Sequence, residues 1–146
     1  MPATSKTSAP RREDSPWTGL GTVYVKELAD QITEVLGFFH VVPQFVFCVR
    51  SKGSASERII ARVHGFGRIW QETLHLPASY VIEVISEHYD RLAEEEKAKT
   101  IIHELLHIPK GFTGGFRPHK GYINHEIVEH LHRTFKKQKI AKKTSS

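Results

Sequence analysis

The chain has 146 residues, 39% of them hydrophobic, which is the size of one compact domain with a real core and too short for two ordinary ones. No stretch nears 18 consecutive apolar residues and the N-terminus has no apolar run behind its charges, so neither a membrane span nor a secretory leader is expected; the implied setting is cytoplasmic. The single cysteine, Cys48, excludes an intramolecular disulfide and a multi-cysteine zinc cluster, and the net charge of +5 raises the question of a nucleic-acid partner.

The charge is unevenly distributed. Residues 17–132 carry 12 Lys and Arg against 14 Asp and Glu, a net of −2, whereas Arg133, Lys136, Lys137, Lys139, Lys142 and Lys143 follow one another with no acid between them. A solvated helix end plus tail is the favoured reading of that cluster, because cations suit a helix C-terminus. A weak, salt-sensitive nucleic-acid contact is the alternative.

Residues 1–16 are rich in Ser, Thr, Pro and charge and are expected to form a disordered arm. From Thr22 to Leu36, Val25, Leu28, Ile32 and Val35 or Leu36 recur at three- and four-residue spacing, which predicts an amphipathic helix ended near Gly37. The β-branched and aromatic run Phe45-Val46-Phe47-Cys48-Val49 predicts a buried strand between residues 44 and 50. Residues 58–64 and 68–70 read as a strand pair around Gly65 and Gly67. Tyr80 to Ile85 has strong β propensity and is expected as a strand, beside the cleft if it lies at a sheet edge.

Ala93 to His107 contains no Gly or Pro and opens on Glu94, Glu95 and Glu96, which predicts a helix with Asp90 as a possible cap, stopped by Pro109 and Gly111. A Gly-rich loop follows to Gly121, and Ile123 to Lys137 is again helical in period through Ile127, Val128, Leu131 and Phe135. The order predicts an α+β domain over residues 17–138, with an N-terminal helix, a twisted sheet of three to four strands and two further helices. Residues 139–146 are expected as a basic disordered tail.

The predicted helix over 93–107 ends in His103-Glu104-Leu105-Leu106-His107, an HExxH sequence. Residues four apart share one helix face, so His103 and His107 can both ligate one ion, while Glu104, turned about 100° away, can reach a water beside it. With ten His and thirteen Glu in the chain, a shuffled sequence would hold roughly 0.06 such matches. A catalytic zinc site needs a third protein ligand and an open fourth position. His119 is the favoured donor, and Glu126 and His125 are alternatives. His130 and His132 with Glu129, and the scattered His64, His75 and His88, read as packed or surface side chains. Tyr122 is placed near the site either as an oxyanion donor or, the favoured reading, as a core tyrosine.

The segment from Tyr80 to His119 resembles the putative phage metallopeptidase family, small zincin-like domains, most closely over Tyr80 to Ile85, His103-Glu104-Leu105-Leu106-His107-Ile108-Pro109 and the Gly-rich approach to His119. The resemblance implies a zincin-like fold, Zn2+ held by His103, His107 and His119, Glu104 as general base and a peptide or protein substrate. It departs from the metzincin pattern, since the glycine stands fourth after the second His rather than third. A broader similarity to SprT-like proteases is an analogy that would give the basic C-terminus a purpose. Two rivals keep the helix and change the function: a non-catalytic zinc protein that contacts nucleic acid, or a metal-free scaffold.

Overall fold

The computed structural model describes residues 20–53 and 57–144, so the predicted arm at 1–16 and residues 145 and 146 lie outside it. Its elements are α1 (Leu20–Val35), β1 (Val46–Ser51), β2 (Ala61–Gly65), α2 (Arg68–Leu74), β3 (Tyr80–Ile85), α3 (Ser86–Tyr89), α4 (Glu94–Leu106) and α5 (His125–Thr144). The strands form one sheet in the order β1-β3-β2, with β1 parallel and β2 antiparallel to β3. This is a small α+β domain.

Helix α1 buries Val25, Ala29 and Ile32, the three-and-four spacing seen in the sequence. Gly37 ends it in the left-handed region at φ 63°. The paired bonds Phe38 N–H to Thr33 O (2.9 Å) and Gly37 N–H to Glu34 O (3.2 Å) close the last turn as a Schellman motif. Lys26 then ties the helix to the start of β1, its ammonium donating to the Pro43 and Val46 carbonyls, both at 2.6 Å.

β3 is the central strand, not an edge. Tyr80, Ile82 and Val84 lie on the face that joins α1 and α4 in the core, and Glu83 and Ile85 on the other are also enclosed. A strand buried on both faces gains most between two partners. β1 and β2 are the two edge strands; on β2 the bonds Ile85 N–H to Ile60 O and Phe66 N–H to Ser79 O aim the even-numbered backbone groups at β3. The polar groups of Ala61, Val63 and Gly65 therefore point outward, and among the described residues no strand covers them.

Three further expectations are corrected. Arg68-Ile69-Trp70 is helical, because Gly67 is extended (φ −62°, ψ 158°) and breaks the chain from β2, and seven residues without Gly or Pro then wind up to a left-handed His75. Asp90 caps nothing on α4; it pairs with Arg50, and Ala93 is the N-cap with no side-chain bond. Helix α5 starts at His125, where Asn124 Oδ1 accepts the Ile127 N–H at 2.8 Å, and continues to Thr144 through most of the segment expected as a tail. No breaker interrupts it, and Lys142 and Lys143 in its last turn complement the helix dipole. No helix among the described residues is long and apolar enough to cross a membrane.

On the sheet face opposite α1, Glu83 (1% exposed) accepts from Arg62 Nε (2.7 Å), Ser51 Oγ (2.7 Å) and His64 Nε2 (2.8 Å). The Arg62 bonds, aided by Ser51 and His64 and opposed by burial, pull its pKa down to about 2. A depressed carboxylate stabilises the fold above its unfolded pKa near 4.5, and that stability is lost as pH falls from there towards 2. Glu83→Gln should therefore lower the stability measured by urea unfolding at pH 7 by about 2–3 kcal/mol. The gap between variant and wild type should narrow by pH 3; a gap independent of pH would contradict this role.

Candidate metal centre

Helix α4 is amphipathic in an unequal way. Ala98, Ile101, Ile102, Leu105 and Leu106 enter the core, and the remaining face at its C-terminal end presents His103 and His107, both half-buried. The helix stops at His107, so the loop that follows must turn back if anything is to meet these two rings.

Several contacts make that turn. The His107 amide region and Arg117 clasp each other: Arg117 N–H donates to His107 O at 2.7 Å, and His107 Nδ1 lies 2.9 Å from Arg117 O. A carbonyl can only accept, so Nδ1 carries the proton and Nε2 keeps its lone pair for the site. The buried Tyr80 hydroxyl donates to Gly115 O (2.7 Å) and accepts from Gly114 N–H (2.8 Å). Gln71 of α2 donates to both Phe66 O (2.6 Å) and Thr113 O (2.8 Å), sewing the loop to the end of β2. Gly114 (φ 96°) sits so close to that strand that a side chain there would strike the Phe66 carbonyl, and one at Gly65 would strike the Gly114 carbonyl and come 2.8 Å from the Phe116 ring.

The loop delivers His119 to the helix. One nitrogen from each of His103, His107 and His119 lies within 4.8 Å of the others, and His103 Nε2 and His119 Nε2 are 3.1 Å apart. Two nitrogens bound tetrahedrally at about 2.0–2.1 Å would stand roughly 3.3 Å from each other, so this donor set fits a zinc-sized cation. Burial, reinforced by the two neighbouring imidazoles, pulls the pKa of His103 down to about 4 and keeps its ring neutral, as ligation requires.

Glu104 is buried beside them at 7% exposure. Burial pushes its pKa up to about 7, against a backbone hydrogen bond from Val63 on the free edge of β2. The buried Glu104 carboxylate, the histidine cluster and the strand edge thus line one groove, bounded by β2 on one side and by α4 and the loop on the other.

The other sequence candidates stay out of the histidine cluster, although His125 lines the same groove. His125 is exposed, its Nε2 3.8 Å from Glu129, and Glu126 is exposed; neither joins the cluster found among the described residues. Tyr122 is not a core residue: it is 52% exposed, and the Arg117 guanidinium stacks on its ring at 5.3 Å. His132 is buried, and His130, His75 and His88 are exposed or half-exposed away from the groove. Of the basic C-terminal residues, Lys136 pairs with Glu95 at 2.6 Å and Lys142 approaches Glu34 at 3.4 Å. Tyr80, Gln71 and Gly65 were not predicted to hold the site; only the close Gly spacing at 65, 67, 114 and 115 hinted that two backbones meet.

An α+β domain with three histidines gathered by an HExxH helix and a glycine loop defines a candidate metalloprotein. Residues 21–140 match the model of the putative phage metallopeptidase family, and the chain belongs to that family. No curated protein and no solved structure matches the chain.

If the loop is held as described, Gly65→Ala should displace it. The expected outcome is a loss of about 1–3 kcal/mol of stability, typical of overpacking, together with weaker metal binding by titration calorimetry. Tyr80→Phe, which leaves the Gly114 N–H without its acceptor, should weaken metal binding in the same assay while leaving the sheet intact by circular dichroism.

Proposed function

We propose that the protein is a zinc-dependent peptidase in which His103, His107 and His119 hold Zn2+ and Glu104 is the general base. The observation that carries this reading is the convergence of three imidazole nitrogens within 4.8 Å beside a buried carboxylate at an open strand edge. When bound, the cation supplies Lewis acidity, polarising a scissile carbonyl and acidifying water.

The chain's own groups supply the rest. Glu104 accepts the proton of the attacking water on its carboxylate and passes it to the leaving amine; a pKa raised by burial brings it near the pH at which proton transfer in both directions is efficient. Its bond to Val63 fixes the carboxylate relative to β2. The outward backbone groups of Ala61 and Gly65 offer an extended peptide a strand to pair with, so affinity comes from main-chain bonds and side-chain selectivity from the groove walls. This role passes from β3, where the sequence placed it, to β2, because β3 has partners on both sides.

The test separates ligand from base. Glu104→Gln should keep its zinc, measured by metal analysis after gel filtration, and lose about 10²–10⁴-fold in peptide hydrolysis. His119→Ala should release zinc, whereas Glu126→Ala and His125→Ala should retain it. Unchanged hydrolysis by Glu104→Gln would remove Glu104 from the mechanism, and full zinc content in His119→Ala would remove His119 from the ligand set.

A further inference from the structure

We infer that the groove favours peptides carrying acidic side chains on the N-terminal side of the scissile bond, an inference that rests on the peptidase reading above. Two arms leave the histidine cluster and they differ in charge. In the arm towards Arg58, Lys99 lies between Glu96 (3.1 Å) and Glu129 (2.9 Å), and Arg58 is a second cation, so two positive charges stand against two carboxylates. The arm towards Phe116 has no such compensation. Its wall includes Arg117, which also borders the shallow hollow formed by Phe39, His40 and Lys110, so the groove and the hollow meet at that side chain.

Among the described residues lining this second arm and its hollow, Glu104 is the one carboxylate, and it sits at the histidines. Arg62 is already committed to Glu83 (2.7 and 3.2 Å). Among the described residues Arg117 has no carboxylate partner, and it is held by the Tyr122 ring, with its backbone pinned at His107, so its guanidinium is positioned without being neutralised by them. Lys110 is exposed and likewise has no carboxylate partner among the described residues. Phe39, 99% exposed in the tight turn after Gly37, completes the hollow with an aromatic ring. Two cations, one of them held in place, with no counter-charge among the described residues raise the local concentration of anionic ligand groups.

Strand polarity assigns the side. β2 runs from Ala61 to Gly65, and Gly65 abuts Phe116, next to Arg117. A peptide added to this edge in the commoner antiparallel sense runs the opposite way, so its residues N-terminal to the cleaved bond lie over Val63 and Gly65, in the cationic arm.

The experiment uses the full zinc-loaded chain and four fluorogenic peptides with the same scissile pair: acidic on the N-terminal side, acidic on the C-terminal side, neutral, and Lys on the N-terminal side. Cleavage is followed as kcat/KM at low and high salt, and binding of the same peptides to Glu104→Gln by fluorescence anisotropy. The N-terminally acidic peptide should be bound and cleaved about three- to tenfold better than the neutral one, the size expected of exposed charge pairs. The Lys peptide should do worse than neutral. High salt and the Lys110→Glu/Arg117→Glu double variant should each abolish the advantage. Equal handling of acidic, neutral and Lys peptides, a preference confined to C-terminal acids, or an advantage that survives in the double variant would overturn the inference while cleavage itself leaves the peptidase reading standing. An acidic preference in binding to Glu104→Gln, with no peptide cleaved by the wild type, would instead overturn the peptidase reading and uphold the charge preference of the arm.

Discussion

The site depends on one close approach, that of the loop after α4 to the end of β2. Gly65 and Gly114 meet backbone to backbone, with no room for a Cβ on either. The Tyr80 hydroxyl, at the foot of the central strand, then supplies one donor and one acceptor to consecutive loop residues. A loop rich in glycine has much conformational entropy to lose on ordering. Here the loss is offset by bonds that satisfy its backbone groups, and the one from the Gly114 N–H to the Tyr80 hydroxyl is buried, where an unmade bond is costly. His119 lies four residues beyond this anchored stretch, and the Arg117–His107 clasp shortens the free span further.

The same approach links the histidines to the sheet edge. Because the loop packs against β2 and α4 lies along it, Val63 reaches Glu104 and the unpaired backbone groups of the edge open into the groove that holds the three imidazoles. Exposed strand edges are liabilities in most folds, inviting unwanted pairing. This one is short, five residues, and flanked by the loop at its Gly65 end, which confines what can add to it. On the sheet face away from α1, the enclosed Glu83 carboxylate is satisfied by Arg62, Ser51 and His64.

Much of the secondary structure was legible in the chain. α1, β1, β3 and α4 follow from apolar periodicity and from breakers at Gly37, Pro43 and Pro109, since those signals are local. Residues 68–70 read as a strand because Ile69 and Trp70 have β propensity, yet they remain exposed and pack into no core, so propensity had no tertiary reinforcement. The length of α5 was underestimated because a run of lysines resembles a solvated tail. One lysine of that segment, Lys142, instead approaches Glu34 on α1, a partner invisible from its own position.

For the site, sequence alone determined the pair His103 and His107 and the adjacent Glu104, because the pitch of an α-helix converts spacing directly into geometry. It could only rank His119 above His125 and Glu126, as loop length limits reach without setting direction. The tertiary structure decided the rest: that His119 meets the helix while His125 and Glu126 turn outward, that the edge strand beside the histidines is β2 rather than Tyr80 to Ile85, and that Tyr80 serves as an anchor. Each of these is a relation between residues far apart in the chain, fixed by strand order and backbone contact, which no local pattern encodes.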